Sequence, residues 1–258
     1  MEDEYSKWLQ MLIAPGGSLG GARPKAGVLD PAGHPWIAKF PRRADSLDMG
    51  AWEYVAHQLA RTAGITVAEA SLRKFTVTHH TFLTRRFDRT PEGERLHFAS
   101  ALTLLNRRDG DNASDGASYL ELAEVLVRDG ASTARDLEQL WRRVVFNICI
   151  SNCDDHLRNH GFILEPEGWV LSPAYDMNPD PYGDGLNLNI SDTDNAQDLG
   201  LAREVTDFFR VSDTRAVEII VEVTQAVRRW RSVASEAQIP SDEQERLEPA
   251  FRVAETVC

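Results

Sequence analysis

Apolar and polar residues follow two different patterns along the chain, and the change between them divides it. From Gly27 to Phe87 most apolar residues form short runs bounded by glycine, proline or charged residues, which is typical of strands joined by turns. From about Phe98 onward they recur every three or four residues, as on the buried face of a helix. The pattern predicts a small β-rich lobe over residues 1–97 and a larger helical lobe over residues 98–258.

The first lobe is predicted to be a small sheet that carries one helix. The segments GVL and WIAKF flank the turn signal DPAGHP, so we expect them to pair as a hairpin that follows a glycine-rich loop. The stretch DSLDMGAWEYVAHQLARTAGI has helical spacing, with Asp45 or Ser46 as its cap and Gly64 as its stop. Two further strands are expected at about residues 72–77 and 81–87.

The second lobe is predicted to be mainly helical. Five stretches have helical spacing, at residues 117–130, 134–150, 201–212, 216–238 and 241–257. The segment GFILEPEGWVLSPAYDM interrupts them as a hairpin whose turn contains Pro166, Glu167 and Gly168. The expected fold class is α+β, with two lobes and polar residues at their junction.

Composition and charge narrow the classes of function. The chain has 258 residues, of which 42% are hydrophobic, and this is enough for a sizeable core. A net charge of −12 argues against a broad phosphate-tracking surface, so we expect no direct binding to nucleic acid. No apolar run approaches the roughly eighteen residues of a membrane helix, and three cysteines make no even disulfide framework. We therefore expect a soluble cytoplasmic protein with no membrane contact.

The segment SNCDDHLRNHGF concentrates chemically active side chains on a loop between two apolar segments. A zinc site made of Cys149, Cys153, His156 and His160 is disfavoured, because only two residues separate Cys153 from His156 and a chain needs more to wrap the ion. A hydrolase site is also disfavoured, because no G-x-S-x-G turn is present and Ser151 has no base at a known spacing.

Phosphoryl transfer accounts for more of these residues. Protein kinases place a catalytic Asp five residues before an Asn, and Asp154 and Asn159 have that spacing. A second magnesium ligand returns on a hairpin in kinases, and Asp176 follows Asn159 by seventeen residues here. Carboxylate and amide oxygens together can hold Mg²⁺ against the phosphates of ATP.

The first lobe supplies the other parts of such a site. The segment GGSLGGARPKAG predicts a loop whose backbone N–H groups, at Gly20 and Gly21 among others, approach phosphates. Lys39 would contact the α- and β-phosphates, and Glu53 would hold that lysine in place. Each residue also has a simpler interpretation, as a turn glycine, a solvated strand lysine or an exposed helix charge.

In this order the motifs resemble the HipA family of bacterial serine/threonine kinases. The resemblance is carried by GGSLGGARPKA, WIAKF, LTRRFDR, RVVFNICISNCDDHLRNHGF and LSPAYDMNP. It implies a two-lobed kinase-like fold that uses ATP and Mg²⁺. It further implies a set of roles: Asp154 as catalytic base, Asn159 and Asp176 as magnesium ligands, Lys39 at the phosphates, His156 near the nucleotide, and Arg85 to Phe87 beside the adenine.

The resemblance also implies a substrate, a partner and a regulatory site. Known toxins of the family phosphorylate aminoacyl-tRNA synthetases on serine, and a helix-turn-helix antitoxin binds them and supplies the DNA contact. The serine that corresponds to Ser18 is a site of autophosphorylation in these kinases. The acidic charge of this chain agrees with a DNA contact that belongs to a partner.

Two departures from the family pattern add expectations. Only seventeen residues precede Ser18, where family members carry an extra N-terminal subdomain, so we expect a short form or a fragment. The missing part would then be a separate protein, and another chain or a second copy would cover the apolar residues Trp8, Leu9, Leu12 and Ile13. The alternative is that these residues form a short amphipathic helix folded back on its own lobe. Arg85 stands where a known member has an acidic residue, so the contacts to the adenine differ from those of that member.

Two other functions stay open beside a protein kinase. They are a small-molecule kinase on the same fold and a non-catalytic nucleotide-binding module.

Overall fold

The computed structural model describes residues 23–75 and 77–256 as a mixed α+β fold. The strands are β1 (Lys25–Leu29), β2 (Pro35–Lys39), β3 (Ala70–Arg73), β4 (Thr81–Arg85), β5 (Phe98–Ser100), β6 (Gly161–Glu165) and β7 (Gly168–Leu171). The α-helices are α1 (Met49–Thr62), α2 (Ala101–Leu104), α3 (Tyr119–Asp129), α4 (Thr133–Cys149), α5 (Leu199–Glu204), α6 (Asp213–Val227), α7 (Trp230–Glu236), α8 (Ser241–Leu247) and α9 (Arg252–Thr256). None of the helices within these ranges is both long enough and apolar enough to cross a membrane.

The first sheet has the strand order β1-β2-β4-β3, and its neighbours pair antiparallel. The predicted β1–β2 hairpin is confirmed, with Ala26 opposite Ala38. The predicted strand at 72–77 is shifted, because β3 pairs with β4 over Ala70–Arg73 and ends there. The strand predicted at 81–87 ends two residues early, at Arg85, where pairing with β2 also ends. Val28, Ala38 and Leu83 form a small apolar core on this sheet.

Helix α1 confirms the predicted helix but not its predicted cap. The cap is Asp48, whose side chain accepts the N–H of Ala51 at 3.2 Å and also the backbone N–H of His80 at 3.0 Å. Asp45 instead accepts a hydrogen bond from Arg23 at 2.7 Å. Gly64 follows the last turn with φ +76°, which favours glycine, so the predicted stop is confirmed.

The second lobe contains the predicted β6–β7 hairpin and one strand that the sequence patterns did not predict. Strand β5 pairs antiparallel with β6 and completes a three-stranded sheet. The hairpin turn contains Pro166 and Glu167, whereas Gly168 is already the first residue of β7, with φ +141°. Strand β5 has only three residues, which are too few to show an alternation of apolar and polar positions. Its pairing with β6 therefore identifies it as a strand.

Three of the predicted helices are broken in the structure. The stretch at 201–212 is α5 followed by a 3₁₀ turn at Thr206–Phe209, which ends where Arg210 adopts φ +53°. The stretch at 216–238 is interrupted between α6 and α7. The stretch at 241–257 passes from α8 through a 3₁₀ turn at Glu248–Phe251 into α9, because Pro249 has no N–H to continue the α-helical hydrogen bonds.

The apolar face of α1 packs into the core of the helical lobe. The residues that predicted this helix, Trp52, Val55, Ala56, Leu59 and Ala60, are all buried and belong to the same core cluster as α4, α6 and α7. The Trp230 and Phe251 rings stack with centroids 4.5 Å apart, and the centroid of the Trp52 indole lies 6.2 Å from each. Helix α1 is therefore held between the first sheet and the C-terminal helices. The domain division at residues 97 and 98 stays a prediction.

The close approach of α1 to the backbone near β4 predicts that Gly50→Ala destabilises the fold. A Cβ atom at position 50 would overlap the carbonyl oxygen of His80, so either the helix or the β4 backbone must move. The overlap costs about 1–3 kcal/mol and the gain in helix propensity is at most about 1 kcal/mol, so we expect a net loss of up to about 2 kcal/mol in the free energy of unfolding. Urea unfolding measures the change.

Gly27→Ala is the matched control, because a Cβ atom there meets nothing within 4 Å. Its free energy of unfolding should stay within about 0.5 kcal/mol of the original protein. If Gly50→Ala were as stable as Gly27→Ala, the tight contact between α1 and His80 would not exist.

Candidate active site

A cavity of about 380 Å³ lies between the first sheet and the second lobe. Seven of the residues predicted for the site line it: Lys39, Glu53, Arg85, Phe87, His156, Asn159 and Asp176. They come from β2, α1, the end of β4, the loop before β6 and the segment after β7. Residues that are more than a hundred positions apart in the sequence therefore share one cavity.

The Lys39 ammonium group lies between two carboxylates. Its Nζ donates to Oε1 of Glu53 at 2.5 Å and to Oδ1 of Asp176 at 2.7 Å. Lys39 and Glu53 are both buried. These contacts join the first sheet, helix α1 and the segment after the β6–β7 hairpin at a single atom.

Burial and charge act in opposite directions on this cluster. Burial alone would lower the pKa of Lys39, but the carboxylates of Glu53 and Asp176 outweigh it and raise that pKa above its ordinary value. Burial would raise the pKa of Asp176, and the nearby Lys39 ammonium outweighs it and lowers that pKa. The lysine is therefore held as a cation and the aspartate as an anion, the charges that phosphate and metal binding require.

The backbone at Asp176 has an uncommon conformation. Its φ angle is +60°, in the left-handed region that residues other than glycine rarely adopt. Contacts with the first lobe hold the segment that precedes Asp176. Val67 and Ala174 form a parallel bridge, and the N–H of Ala174 donates to the carbonyl oxygen of Thr66 at 2.8 Å. The strained conformation turns the Asp176 carboxylate toward Lys39 and the cavity.

The loop between α4 and β6 presents Asp154 and Asn159 differently. Asn159 is buried and lines the cavity, and its Nδ2 donates to the carbonyl oxygen of Asp154 at 3.0 Å. Asp154 is exposed, and its side chain lies outside the group that lines the cavity. Because the amide nitrogen of Asn159 is engaged by the backbone, its amide oxygen is the atom left for a ligand.

Asp155, beside Asp154, is a residue whose role the sequence did not indicate. It is 3% exposed, and its Oδ2 accepts hydrogen bonds from the Tyr119 hydroxyl and from Asn147 Nδ2, each at 2.7 Å. His160 Nε2 also lies 2.7 Å from the same oxygen. Asp155 therefore fixes the loop to α3 and α4 while Asp154 faces solvent. The two aspartates are adjacent in the sequence, and only the folded structure shows that one is buried and the other exposed.

Aromatic rings form the wall of the cavity near the end of β4. The Phe87 ring centroid lies 5.5 Å from that of Tyr175 and 6.0 Å from that of Phe98. The Arg85 guanidinium, at the end of β4, lies 3.7 Å from the Glu69 carboxylate. Sequence reasoning missed Tyr175 and Phe98, although Tyr175 directly precedes Asp176.

The donor set fits a nucleotide with Mg²⁺ better than it fits a metal held by protein alone. Within residues 23–75 and 77–256, no cluster of three or more His, Cys, Asp or Glu side chains could hold a metal. Asp176 and Asn159 offer oxygen ligands, and Mg²⁺ is usually held by one or two such groups together with phosphates and water. His156 Nδ1 is buried and has no hydrogen-bond partner in the described part of the chain, so it is available to a ligand.

Several predicted residues lie outside the described residues. These are Ser18, Gly20 and Gly21 of the glycine-rich segment and the apolar residues Trp8, Leu9, Leu12 and Ile13. Lys25, at the start of β1, lines the cavity, and its charge interacts with Asp176 and Glu53. The chain therefore enters β1 beside the Lys39 cluster.

Comparisons with known proteins agree with this geometry. Putative kinase Y4dM of Sinorhizobium fredii is 29% identical over 244 residues, which are 87% of this chain and 56% of that protein. A putative kinase of Haemophilus influenzae is 25% identical over 149 residues, which are 54% of this chain and 43% of that protein. The chain thus spans about half the length of these curated relatives.

Two solved structures have the same fold. HipA of Shewanella oneidensis MR-1, solved with HipB and operator DNA, matches with a TM-score of 0.70 at 18% identity, over 98% of this chain and 69% of that one. The Helicobacter pylori proinflammatory kinase CtkA matches with a TM-score of 0.65 at 13% identity, over 94% of this chain and 91% of that one. The predicted fold class, a two-lobed kinase-like α+β fold, is therefore confirmed.

The family itself follows from a match along most of the chain. The family model of the HipA-like C-terminal domain matches residues 17–231, which contain the Lys39 cluster, the loop of Asp154 and the β6–β7 hairpin. The chain belongs to the HipA-like C-terminal domain family.

Proposed function

We propose that the protein is an ATP- and Mg²⁺-dependent protein serine/threonine kinase of the HipA type. The contact of Lys39 with both Glu53 and Asp176, in a cavity that Asn159 also lines, carries the proposal. Protein kinases need this lysine–glutamate pair and this magnesium aspartate in place together for phosphoryl transfer. Membership of the HipA-like C-terminal domain family and similarity to curated proteins named putative kinases support it.

Lys39, Asp176 and Asn159 would hold the triphosphate. The Lys39 ammonium is positioned to donate to phosphate oxygens while Glu53 keeps its side chain extended into the cavity. Asp176 and the amide oxygen of Asn159 would hold Mg²⁺, which supplies charge that stabilises the transferring phosphoryl group. Phe87, Tyr175 and Phe98 would enclose the adenine ring.

Asp154 would act on the substrate hydroxyl at the mouth of the cavity. The hydroxyl oxygen forms a bond to the γ-phosphorus as the bond between that phosphorus and the bridging oxygen breaks, and ADP leaves. The hydroxyl proton passes to the Asp154 carboxylate. Exposure suits this role, because the acceptor must meet a side chain of another protein.

For the substrate and the partners, our proposal uses the resemblance to the HipA family. We propose a protein serine as the acceptor, with an aminoacyl-tRNA synthetase as the candidate substrate in the cytoplasm. The HipA of Shewanella oneidensis was solved with HipB and operator DNA, which supports an antitoxin partner for this chain. A second copy of the chain is the other partner we propose.

The first test is phosphoryl transfer from ATP labelled at its γ-phosphate. We expect the purified protein, incubated with Mg²⁺ and cell lysate, to label a discrete protein band, which mass spectrometry identifies. Asp154→Asn should lose the transfer by about a hundredfold or more while it still binds ATP, because only the proton-accepting charge is deleted. Label on a small molecule instead would favour a small-molecule kinase, and ATP binding without transfer would favour a non-catalytic module.

The neighbouring aspartate supplies the matched control. Asp155→Asn replaces a buried acceptor of charge-assisted hydrogen bonds, and we expect it to lower the free energy of unfolding by about 1–3 kcal/mol. Asp154→Asn should leave that free energy within about 0.5 kcal/mol. If the two variants exchanged these effects, Asp155 rather than Asp154 would face the substrate.

The magnesium role of Asp176 predicts a change in the Mg²⁺ dependence of nucleotide binding. In Asp176→Asn the Mg²⁺ concentration that supports half-maximal ATP binding should rise several-fold, since an amide is a poorer ligand for a hard cation than a carboxylate. Asp180→Asn is the control, because Asp180 lies four residues further along and outside the cavity lining. Equal midpoints for the two variants would remove Asp176 from the metal site.

Autophosphorylation at Ser18 gives a separate prediction. Mass spectrometry after incubation with Mg²⁺ and ATP should find phosphate on Ser18 in the original protein and none in Asp154→Asn. A phosphoserine adds about −1.5 to −2 charges, and it would compete with Asp45 for Arg23. Ser18→Asp should therefore weaken ATP binding more than Ser18→Ala, and equal affinities would contradict the electrostatic argument.

A further inference from the structure

The last helices of the chain contact the N-terminal end of α1, the helix that carries Glu53. Oε1 of Glu243, in α8, accepts the backbone N–H of Asp48 at 2.6 Å and the indole N–H of Trp52 at 2.8 Å. One carboxylate oxygen thus joins the cap of α1 to its first turn. A carboxylate at a helix N-terminus is also favoured by the helix dipole.

Further contacts hold α8 in this position. Arg246, on the same helix, donates to the carbonyl oxygen of Ser46 at 3.1 Å and to the Ser46 hydroxyl at 3.3 Å. The buried Trp52 indole packs on Trp230 and on Phe251, which precedes α9. The residue after Trp52 is Glu53, so these contacts surround the part of α1 that presents the carboxylate to Lys39.

The same end of the chain also reaches the loop of Asp154. Arg252, the first residue of α9, donates to the Ser151 hydroxyl at 3.2 Å and to Gln197 Oε1 at 2.5 Å. Gln197 in turn donates to Cys153 Sγ at 2.9 Å. Ser151 has φ +49°, so the loop begins in a strained conformation that these partners hold.

We propose that residues 241–256 form a C-terminal clamp, in which Glu243 is the positioning residue that holds α1 so that Glu53 meets Lys39. The clamp lies beyond residues 17–231, the part that matches the family model. The proposal deepens the proposed kinase function and depends on it for its catalytic consequence. In protein kinases the placement of this helix controls activity, and here the chain's own C-terminal helix supplies that placement.

The clamp has a consequence that can be measured at Lys39 without any phosphoryl transfer. When Glu53 is held against Lys39, the amine is buried and donates to two carboxylates, so an acylating reagent reaches it slowly. If α1 shifts and Glu53 withdraws, the amine loses one of its two hydrogen-bond partners and is more exposed to the reagent. Acylation of Lys39 therefore reports the position of Glu53.

The test measures acetic anhydride labelling of Lys39 by mass spectrometry, at a temperature where every variant is folded by circular dichroism. Glu243→Ala should raise the labelling rate several-fold and lower kcat on the order of tenfold, because displaced catalytic groups lose their alignment. Glu243→Gln keeps an acceptor oxygen of the same reach, so it should restore most of both values. Glu245→Ala removes an exposed carboxylate from the same helix and should change neither.

The outcomes separate positioning from general stability. A folded Glu243→Ala protein with the original labelling rate and kcat would overturn the proposal, even if its melting temperature fell. If Glu243→Ala does not fold, Trp52→Phe removes the indole N–H that Glu243 accepts, together with part of a buried ring, and should raise Lys39 labelling. An unchanged rate in that folded variant would overturn the proposal equally.

The labelling measurement distinguishes a failure of the clamp proposal from a failure of the proposed kinase function. If the original protein transfers no phosphate but Glu243→Ala still raises Lys39 labelling, the clamp stands and the kinase assignment fails. If transfer occurs and the labelling rate is the same in the original protein and in both Glu243 variants, the kinase assignment stands and the clamp fails.

Discussion

The buried ammonium group of Lys39 is the constraint on which the rest of the structure depends. A cation removed from water requires opposite charge and hydrogen-bond acceptors within reach, and Glu53 and Asp176 supply both. These two carboxylates belong to α1 and to the segment after β7, so movement of either element away from the first sheet would take one of the two partners from the buried ammonium. The close contact at Gly50 and the bridge from Val67 to Ala174 hold the same two elements against the first lobe.

The residues of the Lys39 cluster could be predicted because each lies at a recognisable place in a short pattern. Lys39 stands in an apolar strand after a turn signal, Glu53 stands on a helix with clear spacing, and Asp154 precedes Asn159 by five residues. Their order along the chain matches the order in which kinases use them. The structure brings Lys39, Glu53, Asn159 and Asp176 to one cavity, whereas their chemical roles stay proposals.

The features that sequence reasoning missed depend on contacts between distant residues. Asp48 is the cap of α1 because it also binds His80, and nothing near Asp48 in the sequence shows that partner. Strand β5 exists through its pairing with β6. Asp155 looks the same as Asp154 in the sequence, yet Tyr119 and Asn147 surround it in the fold. Glu243 lies 195 positions from Asp48, beyond the reach of any local pattern.

The most direct measurement of the central claim is the calorimetric affinity for ATP with Mg²⁺ of the original protein and of Lys39→Met. Methionine keeps much of the length of the lysine side chain but removes the charge that would meet the phosphates. The account predicts one ATP bound per chain in the original protein and an affinity lower by tenfold or more, about 1.4 kcal/mol, in the variant. Equal affinities in the two proteins would contradict the assignment of Lys39 and its two carboxylates as the phosphate site.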